Sequence, residues 1–172
     1  QEVSFFSNKL KISSSKLNYT LWADIKNNSL SNLQGSLDIK NISLLNIVSK
    51  NKIELKNLHT DLGYQLLKNK KNMLFSNLNF LTEDSVYKDN AIHATFDGFN
   101  LANISIDKLY VKDMKNIINF TSIFFKKTIN DVLKNINDGY LSNLMLLDLD
   151  DAKKFRYDVD FKGIEFINNS FA

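Results

Sequence analysis

The feature that most constrains this chain is an alternation of apolar and polar residues that recurs along most of its length. The first clear example has Leu17, Tyr19, Leu21, Ala23 and Ile25 at odd positions, with polar residues and one Trp between them. Side chains of a β-strand point alternately to its two faces, so each such run predicts a strand with one apolar face. Further alternating runs cover residues 33–39, 58–66, 73–80, 92–96, 99–106, 140–149 and 155–161. The sequence therefore predicts a mostly antiparallel sheet whose apolar faces something must cover.

An eight-residue template recurs four times: apolar, any, apolar, any, Asn, apolar, any, apolar. It fits residues 37–44 (LDIKNISL), 73–80 (MLFSNLNF) and 99–106 (FNLANISI), and it fits 53–60 (IELKNLHT) except at Thr60. The Asn is largely compositional, because the chain contains 24 of them. The apolar positions nevertheless change parity at the Asn, and a straight strand cannot bury both apolar pairs on one face. Each copy therefore predicts a strand with a kink or bulge at the Asn, or two short strands that meet there.

Two short signals concern particular backbone positions. Asn27-Asn28-Ser29 follows the first alternating run and predicts a tight turn. Gly35 lies within the second run, where a residue without a side chain predicts a bulge or a close approach of another backbone.

One region, from about Val111 to Ile136, has helical spacing instead. Its apolar residues include positions 114, 117, 118, 125, 129, 132, 133 and 136. We expect one long helix, or two with a break near Thr121, ended by Asp138-Gly139 before the next strand. The predicted fold class is α+β, mainly β: a large curved antiparallel sheet with one long helical insertion. We expect a single domain over residues 1–172, with β structure in 1–109, a helical part in 110–137 and β structure again in 139–171.

Composition and charge argue against several classes of protein. The 172 residues carry a net charge of only +3, and 21 of the 22 cationic side chains are Lys, whereas nucleic-acid binders usually present a stronger basic face with Arg. The chain has no Cys, so disulfides, thiolate nucleophiles and zinc–thiolate sites are excluded. The longest apolar-leaning stretch, residues 117–125, is shorter than the ~18–20 residues of a membrane span. The chain neither starts with Met nor carries a signal-peptide pattern, so we expect a piece of a longer protein.

Residues that could perform catalysis or bind a metal are sparse. His59 and His93 are the two imidazoles, and each occupies an alternating position in a predicted strand. Acidic residues cluster at positions 148, 150 and 151, but they lack the spacing of a calcium-binding loop and are typical of a turn. The five glycines are scattered and form no phosphate-binding loop. We therefore expect no enzyme activity, no cofactor and no metal site.

The order of the segments is the most informative feature for function. LQGSLDIKNISL, IELKNLHTDLGYQL, NMLFSNLNFL and AIHATFDGFNLANISI are followed by the helical region and then by NDGYLSNLMLLDL. In the last segment Gly139, Leu141 and Leu144 form a Gly-x-Leu-x-x-Leu pattern. Over about residues 30–167 this order resembles the AsmA-like superfamily, and within it the YhdP branch of large bacterial envelope proteins. That family often has Pro just before the Gly, where this chain has Asn137-Asp138.

The resemblance implies a segment of a periplasmic bridge whose parent protein is anchored in the inner membrane by a helix outside this chain. Such a bridge is a long β-sheet rolled into an apolar groove, which carries glycerophospholipids toward the outer membrane. The implied partners are glycerophospholipids and neighbouring segments of the same long chain. The resemblance implies no catalytic residue, metal or cofactor.

Alternating residues of the predicted strands are the candidates for a lipid-facing surface. Their period-two placement means that they face either the core of the domain or acyl chains. The candidates are Leu37, Ile39, Leu62, Tyr64, Phe99, Leu101, Phe155, Tyr157, Val159 and Phe161.

A second possibility stays open at this stage. The predicted helix has an apolar stripe of its own, so it could cover the sheet and complete an ordinary core. The chain would then be a structural or interaction module without a lipid path, whose edge strands add to neighbouring sheets.

Overall fold

Alternation produces strands through most of the described chain, and the predicted mainly β class is confirmed. The computed structural model describes residues 3–6, 10–67, 70–98, 100–120, 135–149 and 154–166. Its elements, in chain order, are β1 (Val3–Phe6), β2 (Leu10–Ser14), β3 (Lys16–Lys26), β4 (Ser29–Lys40), β5 (Ile42–Asn46), β6 (Lys52–Leu67), β7 (Lys70–Leu81), β8 (Val86–Asp97), β9 (Asn100–Tyr110), α1 (Val111–Phe120), β10 (Ile136–Leu147) and β11 (Arg156–Phe166).

The described strands form one antiparallel sheet. Its order is β1-β2-β5-β6-β7-β8-β9-β10-β11, and β4 and then β3 extend it beside β6. The long strand β6 pairs with β5 through residues 52–55 and with β4 through residues 58–65. It therefore belongs to both halves of the sheet. One half contains β3, β4 and those parts of β6 to β11 that lie in line with them across the sheet. We call it the eight-stranded half.

Five residues in the left-handed backbone region form a crease between the two halves. Asn41 lies between β4 and β5, and the others lie within β6, β7, β8 and β10: Asn57 (φ 51°), Asn77 (φ 48°), Asp89 (φ 49°) and Asn143 (φ 52°). Shifts in the β6–β7, β7–β8 and β10–β11 ladders coincide with them. Asn and Asp tolerate this region better than other residues with side chains.

The kink or bulge predicted at the template Asn is confirmed in all four copies, in different forms. At Asn41 the 12-residue strand β4 ends and the five-residue strand β5 begins, whereas β6 and β7 continue through Asn57 and Asn77 with a left-handed residue. In the fourth copy the β8–β9 ladder shifts register beside the Asn, where Asn103 lies opposite Thr95 and Leu101 lies opposite Phe96. Asn103 itself does not have positive φ. Its side-chain Oδ1 instead accepts a hydrogen bond of 3.1 Å from the backbone N–H of Asp148.

Two local predictions are also borne out. Asn27 and Asn28 both have positive φ, of 50° and 59°, and join β3 to β4 in a tight turn. Gly35 marks a close approach, because a Cβ there would overlap the carbonyl oxygen of Thr20 and lie 2.7 Å from Cδ2 of Leu21. The ladders on both sides of Gly35 have no register shift at this residue, so it is not a bulge.

The described helix packs against the last strands of the sheet. Val111, which is fully buried, and Ile136 form one cluster with Met114 and Ile164. A second cluster contains Leu109, Leu141 and Leu144, with Ile106, Met114, Ile117, Leu146 and Val159 packed against it. The helix approaches both β6 and β10, although three strands separate these two in the sheet. The sheet is therefore curved around α1.

The predicted boundary between helix and strand is wrong. Ile136 and Asp138-Gly139 already belong to β10, whose Gly139 is buried and has φ of 126°, and Tyr110 still belongs to β9. Pairing of Ile136 with Phe166 of β11 overrides the helical spacing at this end. Residues 121–134, which carry most of the predicted helix and its possible break near Thr121, lie outside the described residues.

Tyr87 connects β8 to the first turn of α1. Its hydroxyl donates to Oδ2 of the buried Asp113 at 2.8 Å and accepts from the backbone N–H of Tyr110 at 3.1 Å. Its ring stacks on Phe80, with centroids 4.3 Å apart. Burial raises the pKa of the Tyr87 phenol far above its ordinary value. These contacts fix the start of α1 against the sheet.

Candidate functional site

The apolar face of the eight-stranded half is built from rows of paired residues that cross the sheet. Residues directly opposite each other in an antiparallel pair lie on the same face, so consecutive pairings define a row. The row through Leu62 crosses seven strands without a polar side chain. Its members are Leu21, Gly35, Leu62, Phe75, Ile92, Ile106 and Leu144.

A second apolar row lies beside the first and reaches the far edge of the sheet. It passes through Tyr64 of β6, two residues from Leu62 and therefore on the same face. Its members are Ala23, Leu33, Tyr64, Met73, Ala94, Ile104, Leu146 and Tyr157. At about 4.8 Å between strands, the eight members span about 34 Å. The two rows define what we call the apolar face.

Most side chains of the apolar face are only half-buried. Ala94 and Leu144 are buried, whereas Leu62 and Tyr64 near the middle of the face retain part of their exposure to solvent. Exposure rises at the two edges, to 40% for Leu21 and 70% for Tyr157. A contiguous apolar surface of this kind is unusual for a face that meets only water, and it is typical of a binding surface.

The opposite face of the same strands carries polar side chains together with the exposed Trp22, Leu74 and Met145, and we call it the polar face. The row between the two apolar rows points to this side and contains Trp22, Gln34, Gly63, Leu74, His93, Ser105, Met145 and Asp158. Shallow clefts of about 460 Å³ and 320 Å³ lie here, lined mainly by polar residues such as Gln65, Asn72, Asn143 and Asp160. The two faces of the eight-stranded half therefore differ: one carries two wholly apolar rows, and the other mixes polar with apolar side chains.

The helix α1 covers only part of the apolar face. Met114 and Ile117 pack against the cluster of Leu109, Leu141 and Leu144, and Leu144 is the last member of the first row. The helix also approaches β6, yet Leu62 and Tyr64 on this strand keep part of their exposure to solvent. Within the described part of the chain, the centre of the apolar face is therefore only partly covered.

The structure places most of the predicted lipid-facing residues together. Leu37 and Ile39 lie opposite Thr60 and Leu58 on the same face of β4 and β6 as Leu62 and Tyr64. Leu101 lies opposite Phe96, which shares its face of β8 with Ile92 and Ala94. Phe99 is outside the described residues.

The predicted residues near β11 form the far edge of the apolar face. Tyr157 lies opposite Leu146, and the ring of Phe155 stacks on it with centroids 6.2 Å apart. Val159 packs against the cluster of Leu141 and Leu144, so it belongs to the core beneath α1. Phe161 lies opposite the buried Leu141 but is itself 52% exposed.

Sequence reasoning did not select several central residues of the apolar face. They are Leu33, Met73, Phe75, Ile92, Phe96, Ile104, Ile106 and Leu146. Their alternation is present in the sequence, and extending the period-two rule from Leu62 to every predicted strand finds most of them. The missing information was the pairing of strands. The pairing decides whether the odd-numbered or the even-numbered residues of a strand lie in a given row.

The polar groups that the sequence singled out are held in local pairs. Nδ1 of His59 lies 2.8 Å from Oδ1 of Asp38 on the neighbouring strand, and Arg156 contacts Asp148 at 3.0 Å. No cluster of three metal-ligating side chains occurs among the residues that the structure describes. Nor does any helix in these ranges have the length and apolarity needed to cross a membrane. No family profile, no curated protein and no solved structure matches this chain.

Proposed function

We propose that this chain is a segment of a bridge-like lipid-transport protein and that its apolar face shields the acyl chains of glycerophospholipids. The parent protein would be AsmA-like, of the YhdP branch, and would cross the periplasm from an inner-membrane anchor to the outer membrane. The observation that carries the proposal is the pair of apolar rows, which cross seven and eight strands of the eight-stranded half and stay half-exposed at their centre.

The dimensions of the apolar face suit an acyl chain. Along β6, alternate residues from Leu58 to Leu66 lie on this face. At ~3.3 Å per residue they extend for about 26 Å, which exceeds the ~15 Å of hydrocarbon in one leaflet of a bilayer. Each methylene placed on such a surface gains about 0.8 kcal/mol through removal from water. Affinity would therefore come from apolar burial, without a polar anchor for the headgroup.

The curvature of the sheet supports a groove. α1 lies inside the curve and reaches both β6 and β10, so the intervening strands wrap around the space next to it. The crease bends β6, β7, β8 and β10, and in β10 the apolar residues stay on one side of the bend, as the shared cluster of Leu141 and Leu144 illustrates. A bent sheet with an apolar inner face and a polar outer face can hold lipid tails away from water.

A photo-crosslinking experiment tests the proposal directly. p-Benzoylphenylalanine at Leu62 would lie on the apolar face, and the same probe at Leu74, on the neighbouring strand, would lie on the polar face. After expression in a bacterial envelope and irradiation, we expect phospholipid adducts from position 62 and not from position 74. Equal labelling at both positions, or none at position 62, would contradict the proposal.

Native mass spectrometry supplies an independent readout. Phospholipid should co-purify with the wild-type chain after mild extraction and be reduced in Leu62→Asp, whereas Leu74→Asp should retain it. Because Leu62→Asp can also disturb the fold, circular dichroism of both variants is compared first. If neither wild type nor Leu74→Asp carries lipid, the apolar face does not bind it under these conditions and the proposal is wrong.

One observation favours a second candidate, a structural module with a helix-covered core and no lipid path. Met114 and Ile117 already fill the space over Leu109, Leu141 and Leu144, so one end of the apolar face is an ordinary core. In that case Leu62 would be shielded by protein. The benzoylphenylalanine at position 62 would then form crosslinks within the chain and no lipid adduct.

A further inference from the structure

The two outer strands of the eight-stranded half are exposed on both faces. In β3, Tyr19, Trp22 and Ile25 are each more than 60% exposed, and no described strand pairs with the outer edge of β3. The same holds for β11, where Tyr157 and Phe161 are exposed. An edge strand presents unpaired backbone N–H and C=O groups, which form a template for another strand.

The directions of the two edges are compatible with each other. Every strand of the eight-stranded half is antiparallel to its neighbour. Because the number of strands is even, β3 and β11 run in opposite directions. A second copy placed beside the first would therefore bring its β11 against β3 as an antiparallel pair, which continues the pattern of the sheet.

The rows of the sheet fix the register of such a pair. One complete row begins at Trp22 and ends at Asp158, and the next begins at Ala23 and ends at Tyr157. If a second copy continues these rows, its Tyr157 lies opposite Ala23 and its Asp158 opposite Trp22. This register pairs residues 18–24 of one copy with residues 162–156 of the other.

On both faces of this pair the side chains of the two copies are compatible with each other. The register itself was derived from the rows of the sheet and not from charge. On the apolar side Tyr19 meets Phe161 of the second copy, and Leu21 meets Val159. On the polar side Asp24 meets Arg156 of the second copy, and none of the seven directly opposed pairs places like charges together. Arg156 is largely exposed and already contacts Asp148 at 3.0 Å, so it would join two carboxylates. Such cross-strand pairs stabilise an antiparallel ladder.

Irregular backbone limits the pair to this segment. In β3 a register shift follows Asp24, and in β11 Gly163 has φ of 57°. Lys16 and Lys26 lie beyond the paired residues at the two ends of β3. Bulges and terminal lysines are devices that restrict pairing at edges, and here they leave the seven residues between them available.

We propose that β3 of one copy pairs head to tail with β11 of a second copy, which joins their sheets and continues both the apolar and the polar face. The contact is heterologous, so it does not close into a two-fold dimer and permits further copies to add. It involves the edges of the sheet and holds whether or not the apolar face binds lipid.

Engineered cysteines test this register, because the natural chain contains none. Ala23→Cys and Tyr157→Cys are prepared separately, mixed and oxidised. Opposed residues of an antiparallel pair are ~4.5–5.5 Å apart at Cα, which suits a disulfide. We expect the mixture to give a crosslinked dimer. Ala23→Cys mixed with Phe166→Cys, which is equally exposed but out of register, should give little.

Two outcomes would overturn the proposal. If Ala23→Cys alone crosslinks as efficiently as the mixture, β3 pairs with β3 about a two-fold axis instead. If no disulfide forms and the wild-type chain sediments as a monomer at all concentrations, the edges do not associate. A monomeric result combined with lipid adducts at position 62 would reject this contact while leaving the proposed function standing.

Charge reversal provides a second, independent test. Asp24→Arg and Arg156→Asp should each weaken concentration-dependent association roughly tenfold, as expected from opposed like charges. The double variant should recover most of it. Lys26→Glu, on the same strand but outside the paired segment, is the matched control and should change association little. Lys26→Glu and Arg156→Asp change the net charge by the same amount, so equal effects of these two would show that only net charge matters, which would contradict the specific register.

Discussion

Leu141 and Leu144 are three residues apart in β10, yet both side chains are buried in one cluster beneath α1. In a straight strand they would point to opposite faces. Asn143 lies between them with φ of 52°, and this left-handed residue resets the alternation. The same backbone state at Asn41, Asn57, Asn77 and Asp89 carries the crease across the sheet. The bend of the sheet thus depends on side chains that tolerate positive φ.

Substitution of the template Asn by Gly should therefore affect the free energy of unfolding differently in two copies of the template. Asn57 has φ of 51° and Asn103 does not have positive φ. We expect Asn57→Gly to be neutral or slightly stabilising, because Gly enters the left-handed region without strain. Asn103→Gly should cost about 1 kcal/mol or more, since it loosens a strand and removes the acceptor for the Asp148 N–H. Urea denaturation measures both.

The matched substitution at the crease is Asn57→Val. A β-branched residue is strained at positive φ, and we expect a loss of about 1–3 kcal/mol in the free energy of unfolding. If Asn57→Val and Asn57→Gly were equally stable, the left-handed state of Asn57 would not contribute to the fold.

The two strand glycines should respond differently to alanine. A Cβ at Gly35 would overlap the Thr20 carbonyl and approach Leu21, so β3 must shift. A Cβ at Gly63 would lie 3.6 Å from Cβ of Leu74, which is ordinary contact. We expect Gly35→Ala to destabilise by about 1–3 kcal/mol and Gly63→Ala to stay within about 1 kcal/mol of wild type, on either side. Thermal and urea unfolding of the pair would show this difference, and equal losses would contradict it.

Removal of the Tyr87 hydroxyl should be costly. Tyr87→Phe leaves the buried carboxyl of Asp113 and the N–H of Tyr110 without this partner. We expect a loss of about 1–3 kcal/mol at neutral pH. Phe155→Leu, at the far edge of the sheet, is a control that removes a ring without breaking a buried hydrogen bond. Equal losses in the two variants would contradict the role given to the hydroxyl.

Tyr87 should also make the fold sensitive to alkali. Its pKa is raised in the folded state by burial, so its stabilising contribution is complete below the unfolded pKa of about 10 and declines as the pH rises above that value. Between pH 8 and 11 the contribution falls by up to about 1.4 kcal/mol. Urea denaturation from pH 8 to 11 should show a steeper decline for wild type than for Tyr87→Phe. Parallel profiles would contradict the expectation.

The side chain of Asn90 takes the place of a backbone hydrogen-bonding partner between β8 and β9, beside the crease. A charged side chain at this position should lower the stability of the fold. Its Nδ2 donates to the carbonyl oxygen of Lys108, and its Oδ1 accepts from the N–H of Lys108, both at 2.9 Å. Asn90→Asp removes the donor and buries a carboxyl group, so we expect a loss of about 2–4 kcal/mol at pH 7.

The loss in Asn90→Asp should shrink in acid. Burial would raise the pKa of the new carboxyl above its unfolded value of about 3.9, so its protonated form is favoured by folding and its penalty grows as the pH rises. Relative to wild type, the variant should therefore recover stability between pH 7 and pH 4. A difference in unfolding free energy that does not change with pH would contradict the burial of this side chain.

Much of the strand content could be predicted because alternation is a local property. The period-two runs predicted nearly every described strand after Lys16. Asn27-Asn28 predicted a turn, and both residues have positive φ. The start of α1 was predictable from helical spacing at Met114 and Ile117. The start of β10 was not, because its first residue is held by pairing with Phe166 at the far end of the chain.

The candidate site was only partly predictable for the same reason. Leu62 and Tyr64 were selected from their own strand, whereas Phe75 and Ile92 became their neighbours through strand pairing. Similarly, the sequence contained Asp113 and Tyr87 without any sign that they meet.

By itself the sequence determined which residues alternate, at which template Asn the alternation changes phase, and that the sheet must present an apolar face. These properties follow from the stereochemistry of a few adjacent residues. Only the tertiary structure decided that β6 joins both halves, which parities form the two rows, how far α1 covers them, and that β3 and β11 are the exposed edges. Such choices depend on contacts between residues far apart in the chain, whose free energies no local pattern records.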